Sequence, residues 1–215
     1  MFVTDSSDIP SLIHAVDTAD SAPALIGAVR SLAAAQSPAA LTTLITVLGF
    51  NNPGAAVAAV DGLVALGQAA VPALLEQLDG YNYGARAWAI RALAMIGDPR
   101  SLDILADTAR GDFALSARRA AAKGLGCIQW QRLPETARAA AQMKALAALQ
   151  VAIADPEWVV RYASIVGLSG LAQNWVALQQ GREEIHAALQ TATHQDAELV
   201  VKARAQLALF EVNQP

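Results

Sequence analysis

The sequence predicts an all-α protein, an α-solenoid of about five helix pairs that forms a crescent with a concave groove. Three observations predict this fold class. Apolar residues recur with helical spacing, no segment alternates like a half-buried strand, and one repeat frame returns every 30 to 43 residues. We expect a single domain over residues 1–215, with the helices at about 8–35 acting as the N-terminal cap.

The repeat frame is clearest where DPEWVVRYASIVGL, from Asp155, aligns without gaps on DAELVVKARAQLAL, from Asp196. In each copy an aspartate precedes a cation by six residues, and a leucine follows the cation by seven. The aspartate and cation pairs are Asp112 and Arg118, Asp155 and Arg161, and Asp196 and Lys202. Upstream, YGARAWAIRAL fits the frame with Arg86 and Leu93. The frame resembles HEAT repeats, in which such a pair ties one repeat to the next, so we interpret these ion pairs as structural.

Composition and charge exclude several classes of protein. Hydrophobic residues make up 54% of the chain and aromatic residues only 5%, which favours close packing of helices with small side chains. A net charge of -4 argues against a nucleic-acid binder. The single cysteine, Cys127, excludes an internal disulfide and a cysteine-rich zinc site, and it favours a reducing, cytoplasmic location.

Neither a signal peptide nor membrane insertion is expected. The first residues carry acids and no long apolar run. The most apolar stretch, AAVAAVDGLVALGQAAVPALL, is interrupted by Asp61, Gln68 and Pro72 before it could span a bilayer.

The segment LDGYNYGARAWAIRALAMIGDPR, residues 78–100, concentrates aromatic residues and arginines in an aromatic-poor chain. A helix over 81–96 places one stripe in the core: Ala85, Ala89, Ala92, Leu93 and Ile96. A second stripe beside it contains Tyr81, Gly84, Trp88, Arg91 and Met95. Packing and ligand binding stay open as interpretations of this second stripe. A groove with these residues suits a flat conjugated ligand with anionic arms, because aromatics stack and arginine pairs with carboxylates.

Other candidates have a structural interpretation beside the functional one. In the next repeat Lys123 matches Arg91 and Arg119 matches Ala87, which gives either a cationic strip or a solvated helix face. Trp158 and Tyr162, four residues apart, either pack on the preceding repeat or border a pocket. Cys127 is interpreted as a small buried hydrophobe. The three histidines share no ligand spacing, so no metal site is expected.

Residues 78–100, with NNPGAAVAAVDGLVALGQAAVPALLEQLDG before them and DFALSARRAAAKGLG and DPEWVVRYASIVGL after them, closely resemble the F-type subunits of heterodimeric phycobilin lyases. The resemblance implies a protein with no cofactor of its own that binds phycocyanobilin as a substrate. Its implied partners are an E-type subunit and the apoprotein of the phycocyanin α subunit, whose cysteine adds to the bilin to give a thioether. A non-catalytic HEAT-repeat scaffold, or a factor that detaches bilins, is the alternative that shares the repeats.

The resemblance also implies roles for the candidate residues. Arg86 or Arg91 would meet a propionate of the bilin, and Asp79 or Asp112 would stabilise its protonated pyrrole nitrogens. The residues implied to flank or floor the ring system are Tyr81, Tyr83, Gly84 and Trp88. Arg119 and Lys123 would contact either the bilin or the E-type partner. The resemblance implies no catalytic nucleophile in the chain, because the reacting cysteine belongs to the substrate.

Overall fold

The computed structural model describes residues 8–79, 83–177 and 179–213, and within these ranges it contains twelve α-helices and no strand. The helices are α1 (Ile9–Asp17), α2 (Ala22–Ala34), α3 (Leu41–Val47), α4 (Pro53–Leu66), α5 (Val71–Glu76), α6 (Tyr83–Ile96), α7 (Leu102–Gly111), α8 (Leu115–Leu125), α9 (Glu135–Ala152), α10 (Trp158–Gln173), α11 (Gln179–Gln195) and α12 (Leu199–Val212). This confirms the predicted all-helical fold, with five pairs after the pair α1 and α2.

Helix starts follow the capping residues in the sequence. The Asn52 side chain accepts a hydrogen bond from the Ala55 N–H, and Pro53 occupies the first position of α4. Before α10 the order is slightly different. Asp155 accepts from the Glu157 N–H at 2.8 Å, and the helix begins only at Trp158. The aspartates of the repeat frame, Asp112, Asp155 and Asp196, therefore fix the turns that lead into α8, α10 and α12.

The chain divides into two compact units, Met1–Ile96 and Gly97–Pro215. In the first unit α2, α4 and α6 form one layer, with α4 between the other two. Helices α1, α3 and α5 pack on α2, α4 and α6 respectively. The single domain over 1–215 stays a prediction.

In the second unit the helices form two layers, with α7, α9 and α11 in one and α8, α10 and α12 in the other. The backbones of α8 and α10 approach closely where Gly126, just after α8, meets Gly167 in the middle of α10. A Cβ on Gly126 would lie 2.5 Å from the Gly167 carbonyl oxygen, so side chains larger than hydrogen do not fit between these helices. Glycine at both positions thus sets the spacing of the layer.

Gly97 is a second position where only glycine fits. Its φ of +67° lies in the left-handed region, and a Cβ there would collide with the Cys127 carbonyl oxygen. The Gly97 carbonyl in turn accepts a hydrogen bond from the Gln129 N–H at 2.8 Å. The turn before α7 is thereby joined to the turn after α8.

Residues Pro53–Glu76 are long and apolar enough to cross a membrane by length and composition alone. They fold instead as α4 and α5 with a short turn between them, and α4 has only 14 residues. Ala55, Ala59 and Leu63 of α4 are fully buried in the helical core, which accounts for the apolar composition of the stretch.

Candidate functional site

Helix α6 separates its two predicted stripes as the sequence indicates. The core stripe of Ala85, Ala89, Ala92, Leu93 and Ile96 is buried. On the second stripe Gly84, Arg91 and Met95 are exposed and Trp88 is half-buried. Tyr81 lies outside the described residues, as does the side chain of Asp79. The described part of the stripe therefore faces solvent and is available to a ligand.

Arg91 and Trp88 contact each other on this face. The Arg91 guanidinium carbon lies over the Trp88 ring, 5.5 Å from the ring centroid, which is cation–π geometry. A guanidinium over an aromatic ring still has N–H groups that can donate to a carboxylate. Tyr83, at the first position of α6, is 63% exposed and lies about two turns before Arg91. Trp88 and Arg91 thus offer aromatic surface and a cation on one face of α6.

Arg86 has a different environment from Arg91. It is half-buried, and in the repeat frame it occupies the same position as the cations Arg118 and Arg161. Its assignment to a propionate stays a prediction, with the structural role of its counterparts as the competing explanation.

The aspartate and arginine frame forms a ladder between successive repeats. Arg118 donates through Nε to Asp155 at 2.7 Å and through Nη1 to the Asp112 carbonyl at 2.7 Å. Arg161 repeats the pattern, donating to Asp196 at 2.7 Å and to the Asp155 carbonyl at 3.0 Å. The structural interpretation is confirmed, but the predicted pairing of Asp112 with Arg118 and of Asp155 with Arg161 is wrong. Each arginine takes its carboxylate from the following repeat and only a backbone carbonyl from the aspartate of its own copy.

The side chains of the ladder are largely buried. The side chains of Arg118 and Asp155 are 13% and 8% exposed, and those of Arg161 and Asp196 are 15% and 6% exposed. The hydrogen bond from Arg161 holds the pKa of Asp196 below its ordinary value, although burial opposes the shift. The hydrogen bond to Asp155 raises the pKa of Arg118 further.

Asp112 has a capping role in the turn before α8. Its carboxylate accepts a hydrogen bond from the Ala114 N–H at 2.8 Å, in the same way that Asp155 and Asp196 accept from the residue two positions on. This explains the aspartate at the start of each frame without a ligand. The structure does not test the predicted interaction of Asp112 with pyrrole nitrogens, which stays a prediction.

Arg119 and Lys123 lie one turn apart on α8, and both are exposed. They belong to the second unit, whereas Trp88 and Arg91 belong to the first. The structure therefore groups the predicted site residues into two sets, each with its own helix.

The four tryptophans divide into two core residues and two surface residues, which the sequence does not reveal. Trp130 is 2% exposed, and the Trp175 ring fills the space that a Cβ at Gly181 would need. By contrast Trp88 is half-buried and Trp158 is 43% exposed. Among the tryptophans, only this surface pair offers aromatic area to a ligand.

Cys127 is exposed, so its interpretation as a buried hydrophobe is wrong. It follows the last turn of α8, and its thiol donates weakly to the Lys123 carbonyl at 3.6 Å. Within the described ranges no group of three or more histidine, cysteine, aspartate or glutamate residues could hold a metal ion.

Comparison with known proteins identifies the relatives of the chain. The HEAT repeats family matches residues 51–126. A protein of Synechocystis sp. named phycocyanin alpha phycocyanobilin lyase CpcF is 54% identical over 92% of this chain and 91% of its own length. The phycocyanobilin lyase subunit beta of Thermosynechococcus vestitus is 52% identical over 94% of this chain and 95% of its own.

A solved structure shares both sequence and fold. It is the complex of CpcE and CpcF of phycocyanin lyase from Nostoc sp. PCC7120, and its matching chain is 50% identical with a TM-score of 0.73. The match covers 80% of this chain and 99% of that one. On the identity and coverage of these relatives, the chain belongs to the family of phycocyanobilin lyase beta subunits.

Proposed function

We propose that this chain is the F-type subunit of a heterodimeric phycobilin lyase, which binds phycocyanobilin and delivers it to a cysteine of the phycocyanin α subunit. The observation that carries the proposal is the 54% identity with a phycocyanin α phycocyanobilin lyase over 92% of this chain. The structural relative in complex with CpcE supports an E-type partner.

The attachment reaction requires the lyase to position the bilin relative to the acceptor cysteine. The cysteine sulfur of the apoprotein bonds to the ethylidene carbon of the bilin, the carbon–carbon π bond breaks, and the thiol proton ends on the tetrapyrrole. Nothing leaves and no electrons are exchanged, so the lyase needs no nucleophile. Holding the bilin in one conformation at the acceptor cysteine supplies the effective concentration that speeds such an addition.

Helix α6 carries the residues that we assign to this task. Tyr83 and Trp88 offer aromatic area to the rings, and exposed Arg91, whose guanidinium lies over the Trp88 ring, offers its N–H groups to a propionate. Gly84, exposed in the first turn, leaves room for a flat ligand beside them. The sequence prediction adds Tyr81 to the same face.

The test of the function is reconstitution. Co-expression of this chain with an E-type subunit, the α-phycocyanin apoprotein and phycocyanobilin should give a covalent, fluorescent adduct. An apoprotein with serine in place of the acceptor cysteine is the control and should give none. Absence of adduct from a pair of subunits that purify together would overturn the proposal. Loss of bilin from preloaded α subunit in the same assay would instead indicate a detaching factor.

The test of the site uses the double substitution Trp88→Ala with Arg91→Ala. Both side chains lie on the solvent side of α6, so the helical circular dichroism should persist while adduct formation falls. Arg30→Ala, which removes an exposed arginine from α2 of the same unit, is the matched control and should leave transfer unchanged. Full transfer by the double variant would return Trp88 and Arg91 to a packing role.

A further inference from the structure

The ladder between repeats reaches α12 with a cation that has no carboxylate from a following copy. Arg118, Arg161 and Lys202 hold the same position in the repeat frame, and the first two each donate to the aspartate of the next copy. Lys202 is half-buried, yet within the described residues its side chain forms no ion pair and no hydrogen bond. The aspartate of its own copy, Asp196, is already paired with Arg161.

The face of α12 beside this lysine is exposed, whereas the same face of α10 is covered. The gap-free alignment of the two copies, continued by one residue, places Phe210 at the position of Ser169. Ser169 is 2% exposed and donates a hydrogen bond to Glu211 of α12 at 2.6 Å, while Phe210 is 65% exposed. In the same way Gln206 is exposed, and Ile165 at its position is fully buried. Helix α12 thus shows to solvent the face by which α10 packs on the next helix.

This open face is largely apolar. Leu199 is 81% exposed, one turn before Lys202, and Phe210 follows on the same side of the helix. A helix at the open side of a solenoid layer is normally polar on its outer surface. A patch of exposed apolar side chains beside an unpaired cation therefore indicates a contact with another protein. The residues that we name the α12 face are Leu199, Lys202, Ala203, Gln206 and Phe210.

We propose that the α12 face binds the E-type partner subunit, which lays a helix against Leu199 and Phe210 and places a carboxylate at Lys202. This rests on the proposed function, and it assigns a surface through which the two subunits meet. A permanent partner suits this face better than the phycobiliprotein does. A substrate leaves after each turnover and would return the apolar side chains to water, whereas the interfaces of permanent complexes are the more hydrophobic ones.

The charges of α12 disfavour a second copy of this chain as the occupant. A two-fold contact with Leu199 of one copy against Phe210 of the other makes the two helices antiparallel. Glu198 then lies opposite Glu211 of the copy, which sets two like charges against each other. Lys202 lies opposite an apolar residue and again has no carboxylate. A parallel contact would oppose Lys202 to itself.

The first experiment measures the affinity of this chain for the E-type subunit by sedimentation of the mixed subunits over a range of concentrations. Phe210→Asp would bury a charge in the contact and should weaken association more than about tenfold. Val151→Asp on α9, at another exposed apolar residue, is the matched control and should stay within about twofold of wild type. Both variants should keep the wild-type circular dichroism as isolated chains. Unchanged association of Phe210→Asp would overturn the proposal.

A second pair of variants tests the carboxylate at Lys202. Lys202→Gln should weaken association about fivefold at low salt and much less at high salt, because salt screens the ion pair. Arg182→Gln on α11, at an exposed cation, is the matched control and should change affinity less than about twofold. Equal effects of the two substitutions would overturn the pairing of Lys202 with a carboxylate of the partner.

Photochemical cross-linking identifies the occupant directly. A benzoylphenylalanine in place of Phe210, in a mixture of this chain, the E-type subunit and the α-phycocyanin apoprotein, should cross-link to a helical peptide of the E-type subunit. Cross-links to a second copy or to the apoprotein would overturn the proposal and name the other occupant.

Failure of this inference and failure of the proposed function give different results. Wild-type subunits that associate but attach no bilin contradict the function and leave the interface standing. Wild-type subunits that attach bilin, with unchanged association in the Phe210 and Lys202 variants, contradict only the inference.

Discussion

Arg118 and Arg119 are neighbours on α8, and the fold gives them opposite roles. Arg118 is 13% exposed and bonds a carboxylate and a carbonyl, while Arg119 is exposed and has no side-chain hydrogen bond within the described residues. The difference is a rotation of about 100° around one helix. Substitutions at these two neighbouring positions therefore test the ladder and the exposed face of α8 separately.

The largest expected effect breaks the ladder and spares the open face. Arg118→Ala leaves Asp155 buried without its cation, so we expect a loss of about 3 kcal/mol in the free energy of unfolding. Arg119→Ala should stay within about 0.5 kcal/mol of wild type because the side chain is solvated. Urea denaturation of both variants measures the contrast. Similar losses from the two substitutions would mean that burial does not distinguish them.

An intermediate effect comes from pH. The pKa of Asp196 is lowered by its hydrogen bond from Arg161, so its stabilisation is complete above the unfolded value near 3.8 and is lost as pH falls through the folded pKa. Asp98 should show the same pH dependence, because a hydrogen bond from Arg100 lowers the pKa of its carboxyl group.

The measurement compares urea unfolding at about pH 7 and about pH 3 for wild type and Asp196→Asn. The variant should be less stable at the higher pH and lose less on acidification. Asp107→Asn, at an exposed carboxylate, should keep the wild-type pH dependence. If Asp196→Asn lost as much stability on acidification as wild type, the ladder would not be the cause of the acid-induced loss of stability.

The smallest effect concerns Arg91, which is exposed like Arg119 but contacts a ring. Its stacking on Trp88 predicts that Arg91→Ala costs about 0.5 to 1 kcal/mol of stability, while Arg30→Ala costs less. Thermal unfolding of the two variants and the shift of tryptophan fluorescence would measure this difference. If the two variants were equally stable, the contact of Arg91 with Trp88 would not stabilise the fold, and only the ligand-binding role of Arg91 would remain.

Much of the fold is predictable from the sequence because the repeat is so regular. The core stripe of α6 and the structural role of the aspartate and arginine frame follow from spacing and are observed. The environment of Cys127 and the separation of the tryptophans do not follow. Their burial depends on the neighbouring helix or turn that covers each position, and local periodicity carries no information about that.

The sequence by itself determined the helices, their pairing and which face of each helix is apolar, because these depend on residues a few positions apart. Only the tertiary structure decided that Arg118 takes its carboxylate from Asp155, 37 residues later, and that Trp175 is covered while Trp158 is open. The physical reason is that one helix fixes only the angle at which a side chain leaves it. What the side chain then meets is set by the packing of the next repeat.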